Sequence, residues 1–163
     1  MSEKKSKLDG NSVDRPLHYT SHPSGIEAIE VCGEMGFNTG NAFKYLMRLD
    51  KKWDTLEDLA KANWYTHREI WQRSGLTVDN LKFQLAYTYD EQFKDDFKSL
   101  DKFQFGIPFQ QVLNIKRIIE TTPGNVGKAM FYIWEADLVF GIDKLMAAGA
   151  YITAEIEARK LLN

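Results

Sequence analysis

The sequence predicts a mainly α-helical protein: a helical bundle built from two related helical-hairpin units, with one short β segment near residues 80–89. Apolar residues return every three or four positions over much of the 163-residue chain, the period that collects them on one face of a helix. Glycines and prolines punctuate that pattern at Gly36 to Gly40, Gly75, Gly106 to Pro108 and Thr122-Pro123-Gly124, as breakers do between helices. The block Gly40-Asn41-Ala-Phe-Lys44 is echoed by Gly124-Asn125-Val-Gly-Lys128, and Leu56-Glu57-Asp-Leu59-Ala-Lys-Ala62-Asn-Trp-Tyr65 by Ile142-Asp143-Lys-Leu145-Met-Ala-Ala148-Gly-Ala-Tyr151. Asn125 stands 84 residues after Asn41 and Tyr151 stands 86 after Tyr65. The difference implies a two-residue insertion near Val139-Phe140-Gly141, where a loop tolerates one. Chance likeness between two amphipathic hairpins is the competing explanation, since Leu, Ala and Tyr recur at helical spacing in many helices.

Residues 1–14 are polar and charged with almost no large apolar group, the composition of a disordered arm. A first helical unit is expected over residues 15–75. It opens with an extended or turning stretch from Arg15 to Gly25, because Pro16 and Pro23 restrict the residues before them. A first helix should then turn Ile26, Ile29 and Met35 inward and Glu27, Glu30 and Glu34 to another surface. Gly36 to Gly40 should break it. The second helix is expected from about Asn41 to Asp50, with Asn41, Lys44, Tyr45 and Arg48 at i, i+3, i+4 and i+7 on one stripe. Thr55 is the expected N-cap of the third, with Asp58 completing a shortened capping box. Along it Leu56, Leu59, Ala60, Asn63 and Ile70 lean to the core, Asp58, Lys61, Tyr65 and Arg68 share another face, and Gly75 ends the unit.

Residues 76–107 form a connecting segment. Leu81, Phe83, Leu85, Tyr87 and Tyr89 alternate as in a strand, although Leu81, Leu85 and Tyr89 also fit a helix at i+4. Phe93, Phe97, Leu100 and Phe103 make an amphipathic helical stripe. Residues 108–163 are expected to be a degenerate second helical unit, with helices starting at Phe109, running from Asn125 to about Ala136, and running from Ile142 to Leu162.

Composition narrows the function. A formal net charge of −2 excludes the bulk positive field of a non-specific nucleic-acid coat, so any anion site must come from a local cluster. Lys44, Arg48, Lys51 and Lys52 provide one against the single Asp50. Cys32 is the only cysteine, which excludes an internal disulfide and a thiol-based zinc site and fits a reducing compartment. There is no apolar run of membrane-spanning length and no apolar signal-peptide core. The expectation is a cytoplasmic protein without membrane association.

A cation at each turn of one helix matches the spacing of phosphate oxygens, and an arginine can grip two of them. The competing reading is a solvated basic face that suits the negative helix C-terminus. Comparison of the two units bears on the choice. Arg48 aligns with Tyr132 and Lys61 with Ala147, whereas Leu59 and Ala62 keep their character at Leu145 and Ala148. Packing positions persist where cations are lost, so the cations of the first unit do more than pack. Tyr19, Trp64 and Tyr65 could stack a base, and His18 could hydrogen-bond a phosphate or sugar; equally, aromatic residues at helical spacing can be core and His18 can pin an extended arm. His67 is expected at the surface. Glu27, Glu30 and Glu34 with Glu57 or Asp58 could hold Mg²⁺, but the Glu-x-x-Asp pattern of all-helical pyrophosphatases fails at Ala60, so no metal site is assigned. The run Thr122-Pro-Gly-Asn-Val-Gly-Lys128 lacks the strand and the final residue type of a P-loop.

Taken together, Arg15-Pro16-Leu-His18-Tyr19, Ile26-Glu27-Ala-Ile29-Glu30, Gly40-Asn41-Ala-Phe-Lys44-Tyr45-Leu-Met-Arg48, Lys52 and Glu57-Asp58-Leu59-Ala-Lys61-Ala62-Asn-Trp64-Tyr65 resemble the bacteriophage SaV-like family over about residues 15–72. That family includes a small phage kinase of deoxynucleoside monophosphates that lacks a P-loop, and a factor to which an abortive-infection system responds. The resemblance implies a phage-encoded, nucleotide-directed protein in the cytoplasm of an infected bacterium. His18, Lys44, Arg48, Lys52 and Lys61 are expected to hold phosphates, and Tyr19, Asn41, Tyr45 and Tyr65 to meet sugar or base. No catalytic residue is assigned and no tightly bound cofactor is expected; Mg²⁺ would arrive with a nucleotide. The alternative is a non-catalytic counter-defence protein that sequesters a nucleotide signal or docks on a host defence protein. Phenylalanines between 93 and 109 suggest a homo-oligomer.

Overall fold

A computed structural model describes residues 16–51, 54–76, 87–100, 106–139 and 141–163. Among the described residues there are eight helices and no strand. They are α1 (Leu17–Thr20), α2 (Ala28–Cys32), α3 (Phe37–Met47), α4 (Thr55–Ser74), α5 (Tyr87–Ser99), α6 (Phe109–Glu120), α7 (Gly124–Val139) and α8 (Ile142–Leu162). The expected arm 1–14 lies outside the described residues, as do Lys52 and most of the expected β segment; the part of that segment from Tyr87 onward is helical in α5.

Two helical hairpins, α3–α4 and α7–α8, pack face to face, with α3 against α7 and α4 against α8. The sequence of α7 dictates its central place. From Val126 to Ala136 it carries apolar or small residues on nearly every side, and almost all of them are buried; a helix apolar all round belongs inside. Phe43 and Leu46 of α3, Leu59 and Ala62 of α4, and Ala148 and Tyr151 of α8 surround it within one core. The small residues Ala147 to Ala150 are all buried and let α8 come close to its neighbours. Ile70, Ala136 and Leu145 form a second small cluster. Among the described residues no helix is long and apolar enough to cross a membrane.

Local chemistry sets each boundary, several of them not where periodicity puts them. Within the stretch expected to be extended or turning, Pro16 leads into the single turn of α1, closed by Tyr19 N–H to Pro16 O at 2.9 Å. Helix α2 is only five residues long, so it turns Ala28 and Val31 inward and leaves Ile29 69% exposed, against expectation. Glu27 and Glu30 form its capping box. The expected break at Gly36 to Gly40 is instead the start of α3. Gly36 is the N-cap and brings no side chain; Asp137 of α7 supplies the acceptor, taking Gly36 N–H at 3.0 Å and the Thr39 hydroxyl at 2.7 Å. Gly40 stays helical because a Cβ there would stand 3.2 Å from Cys32 O, so glycine lets α2 lie against α3. For α4 the cap is Asp54, whose carboxylate accepts Glu57 N–H at 2.8 Å, and Thr55 is the first helical residue. Of the residues expected to face the core in α4, Ala60 is exposed. Gly75 ends α4 at φ 71°, as expected. Helix α7 starts at Gly124 and runs to Val139, longer than predicted, and the expected insertion point lies between it and α8. Phe93 and Phe97, two of the phenylalanines that suggested an oligomer, instead pack edge-on against Phe131 of the same chain at 5.5 and 6.0 Å.

His22 ties the N-terminal segment to the α6–α7 turn. Thr122 Oγ1 donates to Ile118 O at 2.7 Å, so it accepts from His22 Nε2–H at 3.0 Å. His22 Nδ1 then accepts from Ser24 N–H at 3.2 Å and from the Ser24 hydroxyl at 2.8 Å. The two bonds accepted at Nδ1 require an unprotonated nitrogen, and hence the neutral ring, whereas the Nε2–H bond to Thr122 does not. Burial, helped by the charge of Lys51, pushes the His22 pKa down from 6.5 to about 4. Because the unfolded chain binds the proton more readily, this contribution is complete above pH 6.5 and is lost as pH falls toward 4. Urea denaturation from pH 7 to 4.5 is expected to show it as a loss of stability that shrinks in His22→Gln. A second expectation concerns Gly127, where a Cβ would stand 2.0 Å from Thr122 O, a backbone atom. Gly127→Ala should cost at least about 2 kcal/mol in the same assay.

Candidate functional site

Helices α1, α3 and α4 bring most of the expected residues together around one ring. Lys44 Nζ lies 5.1 Å from the centroid of Tyr45, Arg48 Cζ 4.5 Å and Lys61 Nζ 5.7 Å. Tyr45 stacks on Tyr65 at 5.9 Å with 16° between planes. Tyr19 reaches in from α1, with Lys44 Nζ 6.0 Å and Arg48 Cζ 5.7 Å from its ring, and His18 lies against Tyr19 at 4.1 Å. The helical stripe explains how Asn41, Lys44, Tyr45 and Arg48 share this side of α3, and α4 contributes Lys61 and Tyr65 one turn apart.

The three cations differ in what they are given. Arg48, at the C-cap of α3, is buried and donates Nε–H to Asp58 Oδ2 at 3.0 Å, Nη2–H to Asp58 Oδ1 at 2.5 Å and Nη1–H to the Tyr19 hydroxyl at 3.0 Å. Burial works against its charge, but the Asp58 bonds and charge more than offset this and raise its pKa. A guanidinium committed at all three nitrogens is a poor phosphate fork; its geometry instead fixes α1, α3 and α4 to one another. Lys61 is paired with Glu57 at the surface of α4. Lys44 is half-buried, and its ammonium donates to Asn41 Oδ1 at 2.7 Å, a neutral acceptor. Among the described residues no carboxylate pairs with it. Burial lowers its pKa, Cys32 works against that shift, and the nearby Arg48 charge adds to it. Asn41 is held in turn by donating to Phe37 O at 2.7 Å.

The α7–α8 hairpin answers the same problem differently. Lys128, aligned with Lys44, pairs with Asp90 of α5 at 2.7 Å, and Lys144, aligned with Asp58, pairs with Asp96 at 3.2 Å and Glu135 at 3.3 Å. Tyr132 and Tyr151 stack at 6.2 Å and their hydroxyls donate to Asp96 and Asp90 at 3.1 and 2.7 Å. Here carboxylates outnumber cations; around Tyr45 three cations face Asp58 and Glu57 alone.

Sequence reasoning missed the part of Asp58, which it used in a capping box and offered to a metal, because a partner ten residues away across a turn leaves no periodic signal. It also missed Phe37, which meets Tyr65 edge-on at 6.0 Å. Trp64 is 58% exposed beside Tyr65, and His67 is half-buried rather than at the surface. A cleft of about 210 Å³ lined by His22, Lys51, Thr122, Glu155 and Arg159 contains none of the cation–ring residues.

If Arg48 is structural, removing its partner strands a charge inside the protein. Asp58→Ala should therefore cost about 3–5 kcal/mol, while Arg48→Met with Asp58→Leu should recover most of it, both read by chemical denaturation.

A family model described as a protein of unknown function, DUF3310, matches residues 13–67. No curated protein and no solved structure matches the chain significantly. The matched stretch holds every described residue expected at the site, from His18 to Tyr65.

Proposed function

We propose that this protein binds a nucleotide on the α3–α4 hairpin, with Lys44 and Lys61 holding phosphate oxygens and the Tyr45–Tyr65 pair, flanked by Tyr19 and His18, forming the wall for sugar and base. The observation that carries the reading is the state of Lys44: half-buried, close to a second cation, and bonded to a neutral oxygen where its counterpart Lys128 has a carboxylate. An ammonium drawn out of water in this way is stabilised by an arriving anion more than a solvated surface lysine would be. Arg48 acts as the support that sets Tyr19 and Tyr45 around that position.

The resemblance to the SaV-like phage family extends the reading to phosphoryl transfer from a nucleoside triphosphate to a deoxynucleoside monophosphate, a reaction that needs positioning and charge neutralisation more than a covalent nucleophile. Mg²⁺ would come with the triphosphate. A second reading, retention of a nucleotide without turnover as a counter-defence function, is favoured by one feature: the two carboxylates nearest the cations, Asp58 and Glu57, are engaged by Arg48 and Lys61.

Calorimetric titration with deoxynucleoside and ribonucleoside monophosphates tests the binding. Lys44→Ala should weaken it by about 10-fold or more, the worth of a charge-assisted hydrogen bond, and Lys128→Ala should leave it unchanged. Absence of binding by every nucleotide, or indifference to Lys44→Ala, would defeat the proposal. Chromatography after incubation with triphosphate and Mg²⁺ separates diphosphate formation from unchanged nucleotide.

A further inference from the structure

The outer face of α4 continues the candidate site along the helix. Lys61, Trp64, Arg68 and Trp71 follow one another at spacings of three, four and three residues, which puts them on one stripe in the order cation, ring, cation, ring. Trp64 is 58% exposed and Trp71 47% exposed, and Phe37, which meets Tyr65, is 77% exposed. Large rings left in water on one face, unlike scattered apolar residues, mark a surface with a partner. These rings join the site: Trp64 meets Tyr65 at 5.0 Å, Phe37 meets Tyr65 at 6.0 Å, and Tyr65 stacks on Tyr45. At the far end the Arg68 guanidinium lies 5.1 Å from the Trp71 ring.

We infer that this track receives a short single-stranded oligonucleotide, with a phosphate at Lys44 and successive bases on the rings of α4. The inference rests on the nucleotide-binding reading above and names its ligand class. Rings have a stacking face for any base, and interleaved cations follow the backbone; local positive charge and stacking rings together are what hold single strands. From Trp64 to Trp71 the helix rises about 10 Å, a distance over which a stacked strand advances about three nucleotides. Charge complementarity argues for this occupant: among the described residues no carboxylate pairs with Lys44 or Arg68, so an anionic backbone can supply the missing countercharge, whereas Lys61 is paired with Glu57.

The test compares deoxythymidine monophosphate with its di-, tetra- and octanucleotides, titrated against the full chain by tryptophan fluorescence and by competition with a labelled octanucleotide. Affinity should rise at least about tenfold from the mononucleotide to the tetranucleotide and fall with added salt. Trp71→Ala, an exposed position, should weaken tetranucleotide binding about five- to 100-fold and leave the mononucleotide unaffected. Arg68→Glu should do the same. Equal affinity for mononucleotide and tetranucleotide, or no effect of either variant, would overturn this inference while leaving nucleotide binding in place. Failure of both ligands to bind would overturn both.

Discussion

A guanidinium removed from water must have its N–H groups met one by one, and at Arg48 that requirement organises the first half of the molecule. Asp58 answers with both oxygens and Tyr19 with its hydroxyl. Arg48 closes α3, Asp58 lies in the first turn of α4, and Tyr19 belongs to a one-turn helix that buries no residue of its own. One buried pair therefore fixes the angle of the hairpin and the position of α1 together. Such a pair adds little net stability over a well-packed apolar replacement, because desolvation opposes it. What it does supply is position: the ring of Tyr45 is held 4.5 Å from Arg48, and every other cation of the site is placed relative to that ring.

The two hairpins show what the remaining charge means. Where α3 and α4 join through Arg48 and Asp58, the aligned positions of α7 and α8 carry Tyr132 and Lys144, with the Lys144 ammonium 5.4 Å from the Tyr132 ring. Both solutions bridge the helices, but the second is completed from outside. Helix α5 brings Asp90 and Asp96 to Lys128, Lys144 and the two tyrosine hydroxyls. The first hairpin receives α1 instead, whose contributions are a phenol and an imidazole. A hairpin face capped by carboxylates repels an anion, and one capped by hydrogen-bonding rings does not.

How much of this was legible in the sequence follows from which interactions are local. Periods of three and four residues locate the long helices, and α8 runs from Ile142 to Leu162 as predicted, because its register depends on its own composition. The stripe of Asn41, Lys44, Tyr45 and Arg48 was legible for the same reason. Gly40 was misread as a breaker because its role is to admit Cys32 of another helix, and Gly36 because Asp137, 101 residues away, caps it. The choice of Asp54 over Thr55 as N-cap turned on a single residue between two good capping types. The division of labour among the cations was the least legible part: nothing in the spacing of Lys44 and Arg48 says that one is enclosed by a carboxylate and the other is not.

That division also bears on how a ligand would be selected. With an overall charge of −2 the chain has no long-range field to gather anions, and exposed charges are screened beyond about 8 Å at physiological ionic strength. Under the proposed function, recognition at this surface would come from contact: a half-buried ammonium whose neutral partner leaves its charge unbalanced, set at the edge of a cluster of rings. Contact-range electrostatics of this kind rewards a ligand that places a phosphate and a planar ring at a fixed separation, and rewards neither alone. A free phosphate lacks the ring that would shield the ion pair from water, and a free base lacks the charge. On the proposed reading, the geometry around Tyr45 would therefore discriminate by the combination of the two groups.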